Sequence, residues 1–421
     1  MASHIVRLTV VLMRQKKIRN PSGATQDRPL HGRQILLVFV AGVVTAFAGQ
    51  FLFHAMGRSA RVPATAAAVA AAPQPWGELQ ITSLILDRPD DMFEDTAPAA
   101  PEIRWAFPNT STEQLTALFQ SCELSEAQRA SLLNTNGWRP TPGGWHIFPP
   151  LDLVRDLSAV AREKIYSVLQ QSSDNPQRYP FTFREERFDE LFHGCDLPPE
   201  KVSLVRSLCY HKNGQLWFAD GQYFELVSTS NQTRCLFKTV LRVPTMLVKL
   251  RVDEQSDISA LVRYWDTGGR ARELKPLLQS LSRVPGGGAL NISYFLPTLP
   301  RIHLYTYPRP TPGPREDCFW TSFSFFGERP GYRLGDVQYA DQLLRSDYTR
   351  WRGEKAFGDL LLLIDSEIAV HACIYIADDI YYTKNGTDPN QPWVFMRMND
   401  MMSQYATGKP QQWQVYRRKA T

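Results

Sequence analysis

Apolar residues fall into four textures along the chain. From Ile35 to Phe53 they run without interruption, and ILLVFVAGVVTAFAGQFLF carries no charge. At about 1.5 Å per residue such a helix just spans a hydrocarbon core of roughly 30 Å, so the segment is expected to cross a membrane. From Arg61 to about Pro75 the chain is Ala and Pro with little else, which offers nothing to bury and predicts an extended spacer. Between about 105 and 300 the pattern is mostly helical. Ser111 with Gln114 and Ser125 with Gln128 have capping-box spacing, each opening an apolar-periodic run such as Leu115, Leu118, Phe119 and Cys122. Leu153, Leu157, Val160, Ala161, Ile165, Val168 and Leu169 mark one face of a longer helix, and Gly268-Gly269 and Pro285-Gly286-Gly287-Gly288 stop further helical runs. After about residue 300 the texture changes again. Pro308, Pro310, Pro312 and Pro314 break helix, and the remainder of the chain reads as one helical run and then short strands.

The fold expected is therefore α+β. A basic leader covers 1–34, a transmembrane helix or signal anchor 35–53, an Ala/Pro-rich linker 54–78, a mainly helical domain 79–300, and a domain with a small antiparallel sheet 301–421. Composition agrees, since 421 residues at 43% hydrophobic and 21% charged suffice for a sizeable core. Charge changes the picture more. Lys and Arg number 47 against 42 acids, yet Arg7, Arg14, Lys16, Lys17, Arg19, Arg28 and Arg33 stand in the leader with Asp27 as its only acid. The surplus lies outside the folded part, which argues against a nucleic-acid partner. A cationic flank before the span keeps the leader in the cytoplasm and sends the C-terminal bulk to the periplasmic or extracellular side as a single-pass membrane protein. Ala46-Phe47-Ala48 would serve as a cleavage site if the segment were a signal peptide, but the apolar run continues to Phe53, which favours an anchor.

Six cysteines, at 122, 195, 209, 235, 318 and 373, show no CxxC spacing, so no zinc site, no other metal and no cofactor is expected. An exported chain permits one or two disulfides without needing them. The helical region offers no catalytic constellation and reads as a positioning or interaction domain for a protein partner.

Candidate chemistry gathers near the C-terminus. In EDCFWTSFSFF, Cys318 comes after a proline-rich loop, and if the segment is a helix the thiol lies in its first turn, where free N–H groups favour a thiolate. Gly358-Asp359 forms a turn into the apolar strand Leu360 to Ile364. AVHACIYIADDIYYTKNG reads as two strands joined at Asp378-Asp379. Alternation puts His371, Cys373 and Tyr375 on one face and Val370, Ala372, Ile374 and Ile376 on the other. A thiol nucleophile needs a base, and the base needs an orienting polar group. Cys318 and His371 supply the first two, while Cys373 reads as a packing residue. Structural roles compete throughout: Cys318 as a core thiol, His371 as a satisfied strand histidine, Asn385-Gly386 as a turn.

The order of Tyr, Asp-Cys at a helix start, Gly-Asp opening a strand and His on the next strand resembles the NlpC/P60 branch of papain-like cysteine peptidases. Those domains place the His roughly fifty residues after the Cys, and here His371 stands 53 residues after Cys318. The likeness covers about 120 residues. It implies a papain-like fold for 301–421, Cys318 as nucleophile, His371 as base, and Tyr305 or Tyr307 with Asp317 lining the substrate site. It also implies a peptide or amide substrate in cell-wall peptide. Three departures stand out. Phe319-Trp320 replaces the usual Ser-Gly, Pro308-Arg309 replaces Gly-Gly after the Tyr, and position 383, twelve after the His, is Thr. Asn385, two further on and on the same face, is the preferred orienting amide, with the Thr383 hydroxyl as the alternative. Acyl transfer on a lipid is a related chemistry. A scaffold domain that kept the fold while the site drifted is the reading from another class. Geometry separates them: an enzyme should bring the Cys318 sulfur within about 4 Å of a His371 nitrogen in an open groove, whereas a buried, separated pair favours the scaffold.

Overall fold

The computed structural model describes residues 74–93, 102–266, 269–308, 316–327, 331–405 and 410–419. The expected leader, span and most of the linker lie outside these residues. Among the described residues no helix is long and apolar enough to cross a membrane.

Both capping boxes form. Helix α1 (Thr112–Ser121) begins where the Ser111 hydroxyl accepts from the Gln114 amide and the Gln114 side chain accepts from the Ser111 N–H; α2 (Glu126–Leu133) repeats the arrangement with Ser125 and Gln128. The longer helix expected through Leu169 is two, α3 (Leu151–Arg155) and α4 (Ala159–Leu169). Ser158 divides them. Its backbone is extended and its Oγ accepts from the Ala161 N–H at 3.1 Å, so a capped start replaces one turn of helix. The break turns Val160 into solvent, while Leu157, Ala161, Ile165 and Leu169 stay buried.

The structure is mixed α and β, and the middle region is less helical than its periodicity predicts. Among the described residues the strands form four antiparallel sheets. Two are three-stranded and lie wholly in the middle region, Trp105–Pro108 with Gly144–Ile147 and Trp138–Thr141, and Phe181–Phe183 with Gln215–Phe218 and Tyr210–Lys212. A third joins β1 (Glu78–Leu86), β2 (Val243–Val252) and β3 (Gly288–Asn291). Val248, Leu250 and Val252 are buried while Lys249 between them is exposed, so the strand period was present in β2, between the helical runs on either side of it. Helices α5 (Ile258–Trp265) and α6 (Ala271–Ser282) end just before the two glycine clusters that predicted their stops.

The expected boundary near 300 does not coincide with a break between cores. One core runs from Ile103 to Val240. A second joins Met246 to Leu304 with the C-terminal sheet, so the stretch from β2 through Leu304 packs with the C-terminal half. That sheet has six strands, β4 (Tyr348–Trp351), β5 (Leu360–Asp365), β6 (Ile368–Ala377), β7 (Ile380–Lys384), β8 (Trp393–Met396) and β9 (Gln411–Arg418), in the order β4-β9-β5-β6-β7-β8. The Thr245 hydroxyl donates to the Phe395 carbonyl at 2.8 Å and ties β2 to β8. Gly358 turns the chain into β5 at φ +88°, and Asp378 makes the β6–β7 turn at φ +50°. Beyond Thr298–His303 the C-terminal half holds α7 (Cys318–Phe323), α8 (Val337–Asp347) and α9 (Met398–Tyr405), where the pattern suggested one helical run.

Alternation in the sheet is as expected. Ala372, Ile374 and Ile376 of β6 join the core that contains α7, and Cys373 and Tyr375 join a smaller core on the opposite face with Tyr381, Met396 and Met401.

Candidate active site around Cys318 and His371

Asp317 starts α7. Its Oδ1 accepts from the Trp320 N–H at 2.8 Å, an N-cap, and the residue is itself buried. Asp317, expected to line the substrate site, caps the helix, and burial holds its carboxyl above the usual range. Every residue of α7 is buried, because the helix packs against β6 and β7 with apolar or short polar side chains on all sides. Cys318 belongs to the core on the Ala372 face, and its sulfur reaches the strand backbone at the Ala372 N–H, next in sequence to His371. The expected thiolate is absent from this state. Burial, with Asp317 adding to it, pushes the thiol up to about 12.

His371 is fully buried on the opposite face of β6. Its Nε2 lies 3.0 Å from the Thr383 hydroxyl and 3.2 Å from the Met401 sulfur. The Tyr405 ring stacks on the imidazole at 4.3 Å, and Trp413 meets its edge at 6.3 Å. A thioether can only accept, which assigns the ring proton to Nε2 and leaves Nδ1 with the lone pair. Nδ1 has no hydrogen-bond partner, so Cys318 and His371 share no hydrogen bond in this state. Burial pulls the imidazole down to about 3, and it is neutral at every physiological pH.

Thr383, and not the preferred Asn385, is the residue within hydrogen-bond reach of the His371 ring. The hydrogen bonds decide it, because register alone would put Asn385 opposite His371. Ile374 pairs with Tyr382, so Thr383 falls opposite Cys373 and reaches His371 on the diagonal, while Asn385 comes one residue past the end of β7 and turns its amide to another partner. Asn385 instead donates from Nδ2 to the Met396 sulfur at 3.3 Å, and its buried Oδ1 has no partner.

The hydroxyls of Tyr305 and Tyr307 bond to neither member of the pair. The Tyr305 hydroxyl donates to the Met246 carbonyl at 2.6 Å and the Tyr307 hydroxyl to the Leu86 carbonyl at 3.4 Å, so both fasten the C-terminal half to the sheet of β1 and β2. Cys373 is a packing residue, buried between Leu361, Tyr375 and Tyr381. All six cysteines are free thiols.

Three neighbours were not singled out in the sequence. Lys384 is fully buried, donates to the Gly386 and Asp388 carbonyls at 2.9 and 3.1 Å, and is pulled down to about 8 by burial. Among the described residues no carboxylate lies within ion-pair distance of it, and the Cys318 thiol and the Asp317 and Glu316 carboxyls are the acids whose fields it feels besides Asp388. Met401 and Tyr405 come from α9, whose sequence MNDMMSQY gives no chemical signal on paper. Among the described residues no cluster of His, Cys, Asp or Glu could hold a metal ion. No family model, no curated protein and no solved structure matches the chain.

Proposed function

We propose that the C-terminal half is a cysteine hydrolase of the NlpC/P60 type, held closed, and that the amide it cleaves belongs to a cell-wall peptide reached from a membrane anchor. The observation that carries the reading is the divided imidazole. Thr383 and Met401 occupy Nε2, and Nδ1 keeps a bare lone pair in a buried site beside the strand amide that the Cys318 sulfur touches. A buried polar atom without a partner costs about 1–3 kcal/mol, and a purely structural histidine gains nothing from it. A base needs that lone pair. Opening must also bring the Cys318 sulfur, here on the Ala372 face of β6, to His371 Nδ1 on the other face; Nδ1 then takes the thiol proton, the thiolate attacks the amide carbonyl, and the protonated imidazole returns the proton to the leaving amine. Water then hydrolyses the thioester. Thr383 keeps the ring turned, and Lys384 supplies positive charge beside the sulfur.

A specific observation favours the scaffold reading: both members of the pair are buried, they lie on opposite faces of β6 with no hydrogen bond between them, and their ionisation is displaced away from thiolate and imidazolium. Turnover separates the two. Purified full-length chain incubated with peptidoglycan should release new fragments, and Cys318→Ala and His371→Ala should each abolish release. Release that survives Cys318→Ala, or its absence even in a variant whose site has been opened, would leave the scaffold.

A further inference from the structure

The cover over the candidate site is one short helix with an unusual balance of contacts. Among its eight residues only Met401 is fully buried, and Met398 and Tyr405 pack against the same small core while partly exposed. Underneath, it meets polar groups with soft partners. Met401 offers a sulfur to His371 Nε2 and Tyr405 a ring face to the imidazole, while Met402 offers a sulfur to Trp413 Nε1 at 3.2 Å. Thioethers are weak acceptors that repack easily. His371 Nδ1 and Asn385 Oδ1 stay unpaired beneath the sheet face that Met401 and Tyr405 share with them.

The outer side of α9 is held differently. Arg184 donates to Asp400 Oδ1 at 2.8 Å, and Arg187 stands 3.6 Å from Asp400 Oδ2. The Gln215 side chain donates to the Ser403 carbonyl. All three partners come from the middle region, from the strand Gln215–Phe218 and the turn after Phe181–Phe183. The same arginines have other acids to satisfy them, Glu186 for Arg184 and Glu190 for Arg187, so release of α9 strands neither charge.

We propose that α9 is a displaceable cover and that the middle region is the clamp which keeps it over His371, with Asp400 and Ser403 as the points of attachment. The inference rests on the hydrolase reading for its purpose but not for its test. Closure shuts off His371 and, through Tyr405, whose hydroxyl feels the field of the Cys318 thiol, the approach to Cys318, until something engages the middle region and withdraws Arg184, Arg187 or Gln215. The role expected for that region, positioning with a protein partner, then has a physical route to the site.

The experiment compares full-length wild type with Asp400→Arg, with Arg184→Asp/Arg187→Asp, and with the charge-swapped combination of all three. Two quantities are read: hydrogen exchange of the 398–405 amides and the rate at which iodoacetamide labels Cys318. Partly exposed ion pairs restrain modestly, so both rates should rise by about threefold or more in either reversed variant. They should fall back toward wild type in the swapped combination, which also guards against a variant that merely misfolds. Unchanged exchange in Asp400→Arg would show that the clamp does not hold α9. Faster exchange with unchanged labelling would show that α9 does not cover Cys318. Repeating the labelling in a His371→Ala background separates the two claims: faster labelling that ignores His371 keeps the cover and rejects the catalytic pair.

Discussion

Two buried polar clusters, one in the middle-region core and one beside the smaller core of the C-terminal half, are built to opposite standards. In the middle region Arg162 is fully buried and both oxygens of Asp220 are engaged, one by Arg162 and one by the Tyr166 hydroxyl. The other Arg162 amino group donates to the Val154 carbonyl at 2.8 Å, with the Leu157 and Arg155 carbonyls at 3.4 Å. The ion pair therefore bridges α3, α4 and the start of Gly221–Leu226, and Nε is the single Arg162 donor without a partner. Around His371 the standard is looser: Nδ1 and Asn385 Oδ1 are both buried and unpaired, and sulfur stands in for oxygen at Nε2 and at Asn385 Nδ2. Evolution can fill a buried network when nothing else must enter it. The contrast separates a charge cluster with nearly every polar atom paired from a neutral cluster that leaves buried acceptors unpaired.

The largest effect expected from this contrast is at Asp220. Asp220→Ala leaves a buried guanidinium without its anion and should cost about 3–5 kcal/mol in urea unfolding. Asn385→Leu removes an oxygen that already lacks a partner and should be near neutral or stabilising. Similar losses from both would erase the distinction.

Acid titration sharpens it next. His371 sits at about 3 in the folded chain against an ordinary 6.5, so between those values the unfolded chain binds the extra proton. The contribution is fully present above about pH 6.5 and is lost as pH falls toward 3, with a slope of up to about 1.4 kcal/mol per pH unit. His371→Gln should flatten that limb of the stability curve. A curve that keeps its slope in His371→Gln would place the acid lability elsewhere.

Gly358→Val should come after these. The residue lies at φ +88°, and a Cβ would run into the Phe326 ring, so a cost of about 1–3 kcal/mol in thermal or urea unfolding is expected. The smallest stability change belongs to Thr383→Ala, about 1 kcal/mol for one hydrogen bond. Its weight is in turnover, where kcat should fall further than in Asn385→Ala with KM little changed. The reverse order would return the orienting role to Asn385.

The legible parts of the fold were those decided within a few residues. Capping boxes at Ser111 and Ser125 depend on groups three positions apart, and the Asp378-Asp379 turn and the alternation of His371, Cys373 and Tyr375 depend on local backbone geometry. The stops before the glycine clusters are of the same kind. Where local signals conflicted, reading failed. Ser158 outweighed a continuous apolar face, and β2 sat among helical runs whose period is easier to see.

By itself the sequence determined that a thiol would head a helix and that an imidazole would stand on a neighbouring strand, because caps, turns and periodicity are short-range. Only the tertiary structure decided which face of β6 each would occupy, that Thr383 and not Asn385 would reach Nε2, and that Tyr305 and Tyr307 would bind backbone elsewhere. It alone brought α9 over His371 and Lys384 beside Cys318. Register between strands and the docking of a helix from far along the chain are set by packing among groups that share no local pattern. Burial, which moves Cys318 and His371 away from their ordinary ionisation, is likewise a property of everything that surrounds them and of no residue alone.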